Sequence, residues 1–294
     1  MAVVATGFFD GVHLGHRQVI QTLVSSARQK GEEAIVVTFA QHPRAVLQQD
    51  ARDLRLLNSP QEKEALLRAL GVDRVEVLPF DRAFARLTAE QYVRTVLQER
   101  LGATRLVLGY DNRLGSDRLT PDLIAPLAQS LGLEVVIVPP AVVAASTTPA
   151  TAVSSTKIRE ALCRGEVDAA EAMLGYAYML RGVVVGGKQL GRTLGYPTAN
   201  LRLYDPMKLV PARGVYLTEV EVLGSHYWGM TNVGDIIETH IFDFSEDIYG
   251  LDLQIRFRRW LRAMCSFDGL DALKAQLAAD EAACRGLLGS LGPL

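Results

Sequence analysis

Two hydrophobic periods alternate along the first half of the chain. Short, nearly all-apolar and β-branched runs at Val3–Thr6, Ala34–Phe39, Arg74–Leu78, Arg105–Gly109 and Glu134–Val138 predict strands covered on both faces. Between them the pattern is that of amphipathic helices. Val19, Ile20, Leu23, Val24 and Ala27 share one face of the first. Others are predicted over Gln61–Leu70, over Pro121–Leu131, and from Thr88, whose Gln91 three residues on makes a capping-box pattern. This alternation implies an α/β fold with a doubly wound parallel sheet, which binds ligands at the carboxyl ends of its strands. The Ala-, Thr- and Pro-rich segment Ala141–Ala152 reads as a loop. A short helix opening at Ser154–Arg159 and ending near Gly165 follows it, then a second at Asp168–Leu174.

After Gly175 the period becomes two. Leu180–Val185, Val215–Leu223, Tyr227–Val233, Ile236–Phe242 and Leu253–Phe257 are strand-like and separated only by loops and turns. A helical tail, Leu270–Leu287, closes the chain. The second half is therefore expected to be a small antiparallel β sheet or barrel with a C-terminal helix. The change of period places the boundary near Tyr176–Leu180 and gives domains of residues 1–178 and 179–294.

Composition narrows the partners. A chain of 294 residues, 49% hydrophobic, buries a sizeable core and suits two domains. Lys and Arg number 31 against 33 Asp and Glu, so no basic excess argues for nucleic acid or an anionic membrane. No apolar run reaches the ~20 residues of a membrane span, and no signal-peptide pattern is evident at the N-terminus. Cys163, Cys265 and Cys284 form neither a zinc spacing nor a disulfide framework, so a reducing, cytoplasmic setting is expected. The sequence is compatible with a homo-oligomer and leaves that open.

Candidate chemistry begins at Gly7-Phe8-Phe9-Asp10-Gly11-Val12-His13-Leu14-Gly15-His16. A strand that turns through glycines into a helix N-terminus offers free N–H groups and a dipole to an anion. Two of the five histidines stand at this mouth, where imidazoles can donate to a polyphosphate during transfer. Ser154-Ser155-Thr156-Lys157-Ile158-Arg159 alone reads as a helix cap. Paired with the first loop, Lys157 and Arg159 become candidates for the β- and γ-phosphates. In Gly109-Tyr110-Asp111-Asn112-Arg113-Leu114-Gly115, Asp111 or Asn112 suits ribose, base or magnesium, and a plain turn fits equally. His42-Pro43-Arg44 is equally ambiguous.

In the second half, Gly191-Arg192-Thr193-Leu194-Gly195-Tyr196-Pro197-Thr198-Ala199-Asn200 is either a β-turn loop or a ligand site. As a site, Gly191 and Gly195 would admit close backbone approach, and Thr198 and Asn200 would offer oxygens to a hard cation such as Mg2+. Asn232-Val233-Gly234 precedes Glu238, which is a candidate general base or an ordinary strand-edge carboxylate.

Together these motifs resemble the bacterial bifunctional riboflavin kinase/FAD synthetases from end to end. Gly7–His16 is similar to the family's adenylyltransferase motif, Ser154–Arg159 to its second phosphate motif, and Gly195–Asn200 to its kinase motif; Glu238 matches its catalytic base. The resemblance implies an HxGH nucleotidyltransferase domain followed by a β-barrel kinase domain. The C-terminal module would phosphorylate riboflavin with ATP to give FMN, and the N-terminal module would adenylylate FMN to FAD and pyrophosphate, both with Mg2+. It implies catalytic roles for His13, His16, Arg159 and Glu238. Nucleotide or flavin binding would fall to Gly7, Phe8, Asp10, Gly15, Asp111, Asn112, Ser154, Ser155, Thr156, Gly191, Gly195, Pro197, Thr198, Asn200 and Asn232, with Thr198 and Asn200 also as metal ligands. Partners would be small molecules only. One departure stands out. The family usually carries a longer loop, often with Arg-Pro-Thr, where here only Asp235-Ile236-Ile237 precede Glu238. An omitted loop is the favoured reading; a true deletion would leave a single-activity nucleotidyltransferase or a flavin or nucleotide binder as alternatives.

Overall fold

A computed structural model describes residues 1–42, 45–46, 54–145, 148–187 and 190–291, and the chain divides into two compact units, Met1–Ser155 and Thr156–Leu294. In the first, strands β1 (Ala2–Thr6), β2 (Glu33–Phe39), β3 (Arg74–Leu78), β4 (Ala103–Gly109) and β5 (Glu134–Val138) form a parallel sheet in the order β3-β2-β1-β4-β5. Alternation decides which side chain goes where. Val3, Ala5, Ala34, Val36 and Val107 pack beneath α1 (Leu14–Lys30) and Leu67 of α2 (Pro60–Ala69). Ala2, Val4, Ile35, Val37, Leu106 and Leu108 face the other layer. That layer holds α3, which starts at Ala89–Tyr92 and widens over Val93–Arg100, and α4 (Pro121–Ser130). Both faces are covered, as the all-apolar strands require. The strand order reverses between β1 and β4, which makes their carboxyl ends the switch point of the sheet.

The segment read as a loop contains an antiparallel pair, β6 (Val142–Ala145) and β7 (Thr148–Ala152). Backbone pairing, to which Ala and Thr contribute no apolar period, makes this hairpin. Ser146 and Thr147 lie outside the described residues, as do Pro43 and Arg44 of the ambiguous His-Pro-Arg.

The second unit opens with α5 (Ser155–Cys163) and α6 (Val167–Leu174). Strands β8 (Met179–Val185), β9 (Ala199–Leu203), β10 (Gly214–Val222), β11 (Ser225–Val233), β12 (Ile237–Ile241) and β13 (Asp252–Arg262) close a barrel in the order β10-β11-β12-β9-β8-β13. Helix α7 (Leu270–Leu291) packs on Leu217, Met230 and Phe242 through Cys284, Leu277 and Leu288. The expected barrel and terminal helix are present. β9 is an addition, and its first two residues, Ala199 and Asn200, end the segment read as a turn loop or a ligand site. The omitted-loop reading is corrected: Gly234, Asp235 and Ile236 alone join β11 to β12. Val233 pairs with Ile237, and the Gly234 N–H donates to the Ile236 carbonyl at 3.1 Å.

Candidate functional sites

In the first unit the site grows from the end of β1. Its chain turns with Phe9, Gly11 and Val12 at φ of 54°, 86° and 36°, a left-handed path that non-glycine residues adopt only when held. Three anchors hold it. The Phe8 carbonyl accepts from Thr38 Oγ1 at 3.1 Å and from Lys63 Nζ at 3.0 Å. The buried Asp10 carboxylate accepts from the Leu57 N–H at 2.9 Å and the Asn58 N–H at 3.3 Å. Ser155 Oγ donates to the Asp10 carbonyl at 2.8 Å.

The turn delivers His13 as the N-cap of α1, where its Nδ1 accepts the His16 N–H at 3.3 Å. A capping Nδ1 is unprotonated, so the His13 proton sits on Nε2. The His13 and His16 rings stack with centroids 3.6 Å apart and 15° between planes. A Cβ on Gly15 would lie 3.3 Å from the His13 ring, so a larger residue there would have to shift that ring by a few tenths of an ångström. Burial, then the neighbouring His13 and Lys63, hold the His16 imidazole well below its ordinary pKa. Its Nδ1 is buried with no partner among the described residues, so a donor or acceptor from a ligand would complete it.

Asn112, at the end of β4, donates from Nδ2 to the Thr6 carbonyl at 3.0 Å and ties the two sides of the switch point together. Within this unit the structure thus gathers Gly7, Phe8, Asp10, His13, Gly15, His16, Asn112 and Ser155 around one turn. Asp10 and Asn112 spend these bonds on the protein itself. Asp111 is exposed, and Ser154 is half-buried. Thr156, exposed, and the half-buried Lys157 and Arg159 stand on the first turns of α5 in the other unit. Lys63 and Thr38 were not singled out in the sequence.

The second unit places its site across three neighbouring strands. Glu238 of β12 pairs in register with Asn200 of β9 on one side and Asn232 of β11 on the other. Residues directly opposite in a ladder share a face, so the carboxylate lies between two amides. With the Asn200 amide oriented to satisfy its neighbours, Nδ2 donates to Glu238 Oε1 at 3.1 Å and Oδ1 accepts the Gly187 N–H at 3.2 Å. A Cβ at Gly187 would fall 1.7 Å from the end of the Asn200 amide that faces it, so the close approach needs glycine. The Asn232 Oδ1 is buried without a partner among the described residues.

Glu238 and Asn232 line a cavity of about 190 Å³ together with Thr198, Met230, His240, Arg262, Leu277 and Asp280. His240, two residues beyond Glu238, has Nδ1 2.8 Å from the Pro197 carbonyl and so fixes the segment that carries Thr198. Its same-face spacing was the signal for it in the sequence. Gly191 also lines the cavity, but its tight approach is to the Tyr196 carbonyl of its own loop, and Gly195 turns at φ 86°. Across the cavity the Arg262 guanidinium donates twice to the buried Asp280 carboxylate, at 2.8 and 2.6 Å, and clamps α7 to β13. The available donors are a hydroxyl, an amide oxygen with one lone pair left, and a carboxylate. Such hard oxygens fit Mg2+.

Comparison with known proteins bears on both units. The family model for FAD synthetase matches residues 1–157, and that for riboflavin kinase matches residues 174–288. The bifunctional riboflavin kinase/FMN adenylyltransferase of Listeria monocytogenes is 35% identical over 98% of this chain and 93% of its own length. Its Escherichia coli (strain K12) counterpart is 35% identical over 99% and 94%, and that of Bacillus subtilis 32% over 95% and 90%. A crystal structure from Streptococcus pneumoniae, described as a macrolide-efflux protein, superposes with a TM-score of 0.88 at 36% identity, covering 97% of this chain and 93% of that one. Among the described residues here, no helix is long and apolar enough to cross a membrane.

Proposed function

Because the chain belongs to the family of bifunctional riboflavin kinase/FMN adenylyltransferases, we propose that its two sites divide two ATP-dependent transfers in flavin-cofactor synthesis. Residues 179–294 phosphorylate riboflavin to FMN and ADP. Residues 1–178 join AMP from a second ATP to FMN, giving FAD and pyrophosphate. The observation that carries this reading is that each site holds a buried polar atom still lacking a partner, His16 Nδ1 in one and Asn232 Oδ1 in the other.

Phosphoryl and adenylyl transfer ask mainly for positioning and charge stabilisation. In adenylyl transfer an FMN phosphate oxygen attacks the α-phosphorus of ATP in line, and the bond to the bridging oxygen of pyrophosphate breaks. His13, through Nε2–H, and His16 stabilise the transferring group. Gly7, Phe8, Gly15, Ser154 and Ser155 would line the nucleotide. In the kinase, Glu238, held by the Asn200 amide, takes the proton of the ribityl 5′-hydroxyl. Thr198 and Asn200 would hold Mg2+, which when bound neutralises charge on the ATP phosphates. Free, exposed Cys163 and Cys265 support a reducing, cytoplasmic compartment.

Incubation with riboflavin, ATP and Mg2+ should yield FMN and then FAD on chromatography. His16→Ala should lower FAD formation about 10²–10³-fold and spare FMN formation, and Glu238→Gln should do the reverse. Equal loss of both activities in folded variants would refute the division of labour.

A further inference from the structure

Lys63 is the feature that the two transfers leave unexplained. It projects from α2 into the interior of the first unit and is 6% exposed. Its ammonium donates to the Phe8 carbonyl and to Thr38 Oγ1, both at 3.0 Å, and lies 4.0 Å from the centroid of the Phe8 ring. Thr38 Oγ1 donates to that same carbonyl. Two donors therefore converge on one peptide oxygen, the one immediately before the left-handed Phe9.

We propose that Lys63 is a positioning residue for adenylyl transfer: a buried cation behind the β1–α1 turn that fixes the Phe8 carbonyl, and with it the left-handed path that presents His13 and His16. The proposal rests on reading the first unit as the adenylyltransferase. A packing role is poorly served by a lysine here, because an apolar side chain of equal length would fill the space without burying a charge. The Phe8 carbonyl would also keep Thr38 as a donor if the ammonium were removed. What only the ammonium supplies is a second, charge-assisted bond to the turn and a positive charge beside the histidines.

The titratable groups around this corner are Asp10 on the turn, His13 and His16 at the head of α1, and His42, whose ring meets that of Phe8. Burial lowers the Lys63 ammonium to about 8 against the opposing pull of Asp10, and the charge on Lys63 in turn helps to depress His16. Lys63 thus loses its proton within reach of an ordinary assay.

The test compares Lys63→Met and Lys63→Arg with the parent chain. In Lys63→Met, kcat for FAD formation should fall about tenfold to a hundredfold, as for a small misplacement of catalytic groups. Riboflavin phosphorylation should stay within twofold and the melting temperature should not fall. The parent's FAD formation should lose activity as pH rises through about 8. That alkaline limb should be absent in Lys63→Met and displaced upward in Lys63→Arg, which should also recover part of the rate. FAD formation in Lys63→Met within twofold of the parent, joint loss of both activities and of stability, or an unchanged alkaline limb would overturn the proposal. If the parent makes FMN but no FAD, the reading of the first unit fails. Amide hydrogen exchange at Phe9–Val12 then decides for Lys63: faster exchange in Lys63→Met than in the parent supports its hold on the turn, and unchanged exchange overturns it.

Discussion

A lysine buried as deeply as Lys63 costs stability before it contributes anything else. Below pH 8 both the folded and unfolded chains carry its proton, and the burial penalty is felt in full. Between about 8 and 10.5 the folded state has lost the proton while the unfolded state keeps it, so stability rises with pH across that window. The rise amounts to about 3 kcal/mol at most. Chemical denaturation of the first unit should show this gain in the parent and a flatter profile in Lys63→Met. His16 acts at the other end of the scale. Its depressed folded pKa means that the unfolded chain binds more protons below about 6.5. Stability therefore falls on acidification through that value, and His16→Asn should remove that part of the slope. Lys63 was in fact legible: it stands four residues before Leu67 and in the same helical stripe as Leu66 and Leu70. A cation interrupting an apolar stripe is the signal, and it is a weak one because a lone lysine on a helix is normally solvated. Gly187 was not legible, since its role depends on Asn200, which reaches it only through the β8–β9 pairing. Gly187→Ala should push the Asn200 amide off Glu238 and lower kinase turnover about tenfold, a modest misplacement, leaving FAD formation from supplied FMN unchanged.

At the scale of elements, caps and periods decided most outcomes. Ser59 and Glu62 exchange the reciprocal bonds of a capping box at the head of α2, and Thr88 with Gln91 does the same at α3. The second was read from sequence. The first was not, although Ser-Pro-x-Glu carries the same signal. Because α2 carries Lys63 one turn beyond its cap, Ser59→Ala should cost about 1 kcal/mol in the first unit's denaturation and weaken FAD formation more than FMN formation. The inner strands of the parallel sheet were legible because burial on both faces demands nearly unbroken apolar runs; the edge strands β3 and β5 are only partly buried. β9 was not, because Ala199-Asn200-Leu201-Arg202-Leu203 has weak intrinsic strand preference and is made a strand by β8 and β12 on its two sides. β6 and β7, which pair only with each other, escaped because their Ala, Thr and Pro residues leave no alternating apolar period.

For the molecule as a whole, two folded units imply two sets of ligand-linked stability. Riboflavin and ADP, binding to the barrel, should raise one thermal transition, by about 2.7 kcal/mol at a hundredfold excess over Kd. The transition of the parallel-sheet unit should stay in place, and calorimetry with each ligand in turn reads this directly. The barrel also bears on how such a chain can change over evolutionary time. Asn200, Glu238 and Asn232 come from three adjacent strands and meet only because each ladder is in register. One residue gained or lost inside β9, β11 or β12 turns its contribution to the opposite face of the barrel wall. Between Val233 and Ile237 the rule is different, for only the pairing of those two ends has to survive. Lineages can therefore lengthen or trim the chain there and hand down the same three side chains, so variation in gene length should collect at this one turn and leave the strands around it uniform.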